Sequence, residues 1–201
     1  MDVNYKPLPG RCDYAIRIIR GRYLAGYTII ELMITIAIAA ILLGLVVPSF
    51  QSVLASTRQS SNLNSLISSF HLARSEAAKR GHKVVICKSH DGQICNTSNR
   101  WDQGWIVFAD RDGDRSRTMD EHLIQVRDPF PAGQNLAYRR GVGSSHYITY
   151  HPTGFTRTNG TFTFCDQRGA DHAKALILYK TGRTRISRTR ANGDPLDCPA
   201  T

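Results

Sequence analysis

No charged residue stands between Leu32 and Thr57, so this stretch cannot be the solvated face of an ordinary surface helix. No Asp or Glu occurs between Asp171 and Asp194, so the basic residues there have no acidic neighbour in the local sequence. The histidines are scattered without an HExxH pattern, and neither a GxSxG nor a phosphate-loop motif occurs. These absences remove the usual zinc hydrolase, serine hydrolase and nucleotide-hydrolysing classes. The cysteines do not form CxxC or Cys/His spacings, which removes a zinc site. No catalytic residue, metal or cofactor is therefore nominated.

The chain has 201 residues and a formal charge of +10. That length suits one ordinary domain plus an appendage. Lys6, Arg11, Arg17, Arg20 and Arg22, with only Asp2 and Asp13 against them, place part of the excess in residues 1–26. The remaining excess favours anionic partners such as nucleic acid or lipid headgroups. Besides Cys12, the cysteines are Cys87, Cys95, Cys165 and Cys198. Four cysteines permit three pairings. The pairing expected is Cys87–Cys95, closing a short loop, with Cys165–Cys198 pinning the tail; free buried thiols are the alternative. Disulfides imply an oxidising compartment.

Residues 27–47 are almost wholly apolar. About twenty such residues rise about 30 Å as a helix, enough to cross a bilayer. The preceding arginines fit a cytoplasmic flank. A cleaved secretory signal competes, with Ala37-Ile38-Ala39 as its site, but the apolar run continues to Val47 and contains Glu31. A carboxylate in hydrocarbon is expensive and implies a partner. After Pro48, Leu63, Leu66, Ile67, Phe70, Ala73 and Ala77 recur at three- and four-residue steps, one stripe of an amphipathic helix that Gly81 would stop. The whole helix, from about residue 28 to 80, would be roughly 80 Å long.

Beyond Gly81 the pattern predicts short strands at 83–87, 105–109, 122–126, 147–150, 161–165, 173–179 and 183–186. In TFTFC, the phenylalanines share one face and Thr161, Thr163 and Cys165 the other, as in a half-buried strand. Lys180-Thr181-Gly182 reads as a hairpin turn. Trp101 and Trp105 read as core residues. In DRDGDRSRTMDE, Asp110, Asp112, Asp114 and Glu121 match positions one, three, five and twelve of an EF-hand loop. The required glycine is misplaced, with Arg115 in its position, and Arg111, Arg115 and Arg117 oppose a cation. A solvated hairpin between two strands is the better account.

GYTIIELMITIAIAAILLGLVVPSF resembles the type IV pilin signature: a basic leader ending in glycine, an aromatic residue, then glutamate fifth in the mature chain. The resemblance implies that prepilin peptidase cuts between Gly26 and Tyr27, that the new amine of Tyr27 is methylated, and that Glu31 pairs with a neighbouring subunit's terminal amine in the filament. Pro48 stands where pilins often have a kinking proline. HLARSEAAKRGHKVVIC, then WDQGWIVFADRDGDRSRTMDEHLIQV, a late GRTR and a near-terminal cysteine are similar to the GspH/FimT group of pseudopilins and minor pilins. This likeness covers nearly the whole mature chain. It implies an α+β fold: a long N-terminal helix, transmembrane in its first half (about 28–50), then a domain of two packed antiparallel β-sheets. The expected organisation is a leader at 1–26, the helix at 27–80 and a β domain at 81–201. The expected location is the inner membrane, single-pass, before assembly, and afterwards a pilus reaching the periplasm or exterior. Members serve in type II secretion, pilus priming or DNA uptake.

Arg183, Arg185, Arg188 and Arg190 crowd the last strand and tail. Guanidinium forks grip phosphate oxygens in pairs. Arginine on a strand edge also discourages aggregation, and contact with lipid phosphates or an acidic neighbour is a further plain reading. Gly182-Arg183-Thr184-Arg185 resembles the GRxR motif of DNA-binding FimT proteins, which implies double-stranded DNA as a partner beside other pilins. Arg183 and Arg185, two apart on a strand, share a face, and a bend near Ile186-Ser187 would bring Arg188 and Arg190 to it. Lys180 and Lys174 could extend the strip, with Arg139 and Arg140 farther off. Few aromatics flank the cluster in sequence, which favours a duplex backbone over stacked single-stranded bases.

Overall fold

The computed structural model describes residues 26–98 and 100–198, apart from the side chains of residues 45–49. The expected leader, its basic residues and Cys12 fall outside the described residues, as does the Pro48 side chain. The structure divides into two units, one ending at Val46 and the other beginning at Val47. One helix, α1 (Ile29–Arg80), contributes to both.

In the first unit the helix opens with Thr28, whose Oγ1 accepts the Glu31 N–H at 3.2 Å. This is an N-cap bond, and it places the Glu31 carboxylate in the first turn, at the positive end of the helix. Every described side chain here is exposed, including Ile30, Leu32, Ile34, Ile38 and Leu42. A helix apolar on all sides is ordinarily a buried one, in a protein interior or a membrane. Among the described residues no helix is long and apolar enough to cross a membrane.

The second unit builds its main core from three layers. Leu63, Leu66, Phe70, Ala73 and Ala77 form the buried stripe of α1. Each fully buried Leu or Phe contributes roughly 1.5–3 kcal/mol. The helix stops at Gly81, whose φ of 71° suits the left-handed residue just past a helix end. Then follow β1 (Lys83–Lys88), β2 (Trp105–Asp110), β3 (Leu123–Arg127), β4 (Asn135–Val142), β5 (Tyr147–Tyr150), β6 (Asn159–Cys165), β7 (Lys174–Leu178) and β8 (Thr184–Ser187). They form two antiparallel sheets, ordered β3-β2-β1-β5 and β4-β6-β7-β8. Val84, Ile86, Trp105, Val107, Ile148 and Tyr150 from the first sheet meet Leu136, Phe162, Phe164, Leu176 and Leu178 from the second, around the helix stripe. Trp105 Nε1 donates to Ser69 Oγ on α1 at 3.0 Å, so even the polar atom of this core residue is satisfied.

Two expectations change. The edge strand β4 was not anticipated, because only Leu136 is fully buried and Arg139, Arg140 and Gly141 interrupt any apolar rhythm. In β6, Thr161 and Thr163 are buried like the phenylalanines, so the strand is covered on both faces. The cover on its second face is the C-terminal tail: Leu196 and Cys198 pack with Cys165, Ala173 and Ala175. The structure contains the disulfides Cys87–Cys95 and Cys165–Cys198.

Candidate nucleic-acid interface

The last hairpin joins β7 to β8. Its turn is closed by the Tyr179 N–H donating to the Arg183 carbonyl at 3.0 Å and the Gly182 N–H donating to the Tyr179 carbonyl at 2.8 Å. Gly182 has φ 75°, and a Cβ there would collide with the Gly154 carbonyl oxygen and the Tyr150 ring. The glycine is therefore required twice, by conformation and by space. That close approach clamps the turn to the segment 150–156: Tyr150 Oη donates to the Gly182 carbonyl at 3.2 Å, and the Thr156 N–H to the Lys180 carbonyl at 2.9 Å.

Register then decides which way each cation points. Arg185 pairs with Ile177, Ile177 with Thr161, and Thr161 with Arg139. Leu176, Leu178 and Phe162 face the core, so this row lies on the outer face of the second sheet. Arg139 and Arg185 stand at its two ends, about 14 Å apart at a strand spacing of ~4.8 Å. Arg183, two residues before Arg185, shares that face. Both are exposed and form no ion pair among the described residues; Arg185 Nε donates to Tyr179 Oη at 3.2 Å. Arg188 is exposed at the bend that follows β8.

The other sequence candidates are placed differently. Arg190 is held in an ion pair with Asp197, and Arg139 Nη2 also reaches that carboxylate, at 3.4 Å. The hydrogen bond from Arg190, more than any other influence, holds the Asp197 carboxyl below the ordinary aspartate range. The cluster thus has an internal partner after all, supplied by the tail that Cys198 anchors. Lys174 occupies the inner face, where its Nζ donates to Ser60 Oγ on α1 at 2.7 Å. It does not join the outer strip. Lys180 is exposed at the turn and lines an open cleft with Phe155 and Arg157.

Phe155 and Arg157 were missed from sequence because they come from another loop, brought over by the Gly182–Gly154 contact. Asp197 was missed although a signal existed: it precedes Cys198, and a bridge to Cys165 places it beside the second sheet.

The profile of the family described as type II transport protein GspH matches residues 62–182, more than half of the chain. The chain belongs to the GspH family. A profile of the prokaryotic N-terminal methylation motif matches residues 22–47, which include Gly26, Tyr27 and Glu31. The protein is accordingly a type IV minor pilin or pseudopilin of the GspH/FimT type. Among solved structures, the chain is similar to the type IV minor pilin FimU of Pseudomonas aeruginosa, with 21% identity over 64% of this chain and 85% of that one, and a TM-score of 0.45. It is also similar to the minor pseudopilin EpsH from the type 2 secretion system of Vibrio cholerae, with 11% identity over 65% of this chain and 96% of that one, and a TM-score of 0.47. No curated protein matches. The segment matched to the GspH profile ends at Gly182, so the arginines from Arg183 to Arg190 lie outside the matched residues.

Proposed function

We propose that this GspH-family chain is a minor type IV pilin that binds double-stranded DNA through Arg183, Arg185 and Arg188, for DNA uptake in natural transformation. The supporting observation is the pair Arg183 and Arg185, exposed on one face without an acidic partner among the described residues, at one end of a cross-strand row that has Arg139 at the other. Their guanidinium forks suit phosphate oxygens, and such contacts hold a duplex without reading its sequence. Arg190 and Arg139 form a reserve, since phosphate must displace the Asp197 carboxylate to reach them.

In this reading prepilin peptidase removes the leader after Gly26, the Tyr27 amine is methylated, and the apolar start of α1 is anchored in the inner membrane until the subunit enters a filament. Glu31 then pairs with the terminal amine of a neighbouring pilin. The filament displays the arginine face outside, and retraction draws captured DNA inward.

A second reading is a purely structural minor pilin or pseudopilin that serves pilus assembly or type II secretion without binding DNA. The description of the matched family as a type II transport protein favours it. A mobility-shift titration of duplex DNA with the full chain in non-ionic detergent separates the two. Three free arginines predict a slope of log affinity against log salt near about −2.7, and about −3.6 if Arg190 is released as well. Unchanged duplex binding by Arg183→Gln with Arg185→Gln would remove the DNA reading and leave the structural one. In cells, the DNA reading predicts lost transformation with pili intact, whereas the rival predicts a pilus or secretion defect.

A further inference from the structure

We propose that the loop between β2 and β3 is a calcium site built from the carboxylates of Asp110, Asp112 and Asp114. One oxygen from each lies within 4.8 Å of the others. Asp110 ends β2 and is only 1% exposed. Its Oδ1 accepts the Gly113 N–H at 2.8 Å, but its Oδ2 is buried without a hydrogen-bond partner among the described residues. A buried carboxylate oxygen left unpaired is expensive, and a cation among three converging carboxylates would satisfy it.

The fold answers the misplaced glycine and two of the three arginines, Arg115 and Arg117, that spoke against calcium in the sequence. Position six of a calcium loop needs a sharp turn, normally made by glycine. Arg115 makes that turn here with φ 69°, the one non-glycine positive φ among the described residues. Its guanidinium lies over the Tyr147 ring, 5.6 Å from the centroid. Arg117 donates to the Gln93 carbonyl at 2.6 Å. Both charges are therefore engaged elsewhere. Lys83, the register partner of Asp110 on β1, is the nearby cation that a bound divalent ion would displace towards solvent. The amides of Asp114 and Ser116 donate to Asp112 Oδ1 and Asp114 Oδ1, at 3.1 and 2.7 Å, which fixes both carboxylates at the loop.

The site departs from an EF-hand at its twelfth position. Glu121 accepts the Arg111 and Thr118 amides, at 2.8 and 3.2 Å, so it closes the loop instead of supplying a bidentate ligand. With water completing the shell, affinity belongs to the weak class of extracellular calcium modules, about 10⁻⁴–10⁻³ M. An all-oxygen, carboxylate-rich set on a pliant loop suits calcium better than magnesium, which demands a stiff octahedron, or zinc, which prefers nitrogen and sulfur.

The test is a CaCl2 titration of the chelator-treated full chain in non-ionic detergent, read by thermal melting and by calorimetry. We expect one saturable site in that affinity range and a rise in Tm of roughly 4–8 °C at about 10 mM calcium, with a smaller response to MgCl2. Because Asp110 is buried, its own substitution could simply unfold the domain. The exposed pair Asp112→Asn with Asp114→Asn should keep the calcium-free melting temperature and abolish the rise. Arg115→Gly should lower the half-saturating calcium several-fold. The proposal is overturned if calcium leaves Tm unchanged, if the double variant responds like the native chain, or if magnesium acts equally.

Discussion

The inner face of the second sheet presents Phe162, Phe164, Leu176 and Leu178, while its outer face presents Thr161, Thr163 and Ile177 with Arg139 and Arg185 at the edges. Both faces bury their central residues, but by different means. The inner face is closed by α1 and the first sheet as far as β7; on the edge strand β8, Ile186, the register partner of Leu176, is 52% exposed. The outer face is closed only along its middle, by a tail that a disulfide ties down. Its edges stay open, and the edges are where the cations stand. One sheet therefore carries stability on one side and a charged surface on the other, and the two can be perturbed separately.

The largest effect should come from the inner face. Phe162 packs against Phe70, Trp101 and Tyr138, with ring centroids 5.5, 5.3 and 4.2 Å away. Phe162→Ala should destabilise the domain by about 3–5 kcal/mol, measured by urea unfolding. Next is the tail: Cys165→Ser with Cys198→Ser should cost about 2–4 kcal/mol and expose the middle of the outer face, seen as faster amide exchange in β6 and β7. If exchange there is unchanged, the tail is not what closes that face.

Gly182→Ala tests the join between the two sides. The strained φ and the collision with Gly154 should cost about 1–3 kcal/mol, and the displaced turn should weaken duplex binding as well. By contrast, Arg183→Gln with Arg185→Gln should leave stability within about 0.5 kcal/mol while reducing the salt slope of DNA binding by about 1.8. A comparable loss of stability in this pair would mean that the outer edge is structural and the division between the faces is false.

The smallest effect belongs to Asp197→Asn, which should raise duplex affinity a few-fold at low salt by freeing Arg190 and Arg139. The direction of its pH dependence follows from the lowered Asp197 value. A carboxyl depressed by folding stabilises the native state above its unfolded pKa, about 3.9, and that contribution disappears as pH falls through the lower folded value. The small stability advantage of the native chain over the variant should therefore persist at neutral pH and vanish in strong acid, by thermal melting.

Much of this was readable along the chain. The stripe from Leu63 to Ala77 announced the helix face, and all but one of the strands were placed within two residues of their observed ends. The eighth, β4, escaped because an edge strand buries so little that its pattern is erased. The common face of Arg183 and Arg185 followed from strand alternation alone, whereas the inward turn of Lys174 did not, since nothing local says which face of a strand meets a helix.

Periodicity is a local property, so residue order by itself determined which side chains travel together: the apolar stripe, the alternating strands, the paired arginines and the largely apolar first half of α1. Partnership is a property of space. Only the folded chain decided that Asp197 neutralises Arg190, that Gly182 nests against Gly154, and that the tail packs on Cys165 and Ala175, because each joins segments whose meeting depends on sheet order and a distant disulfide.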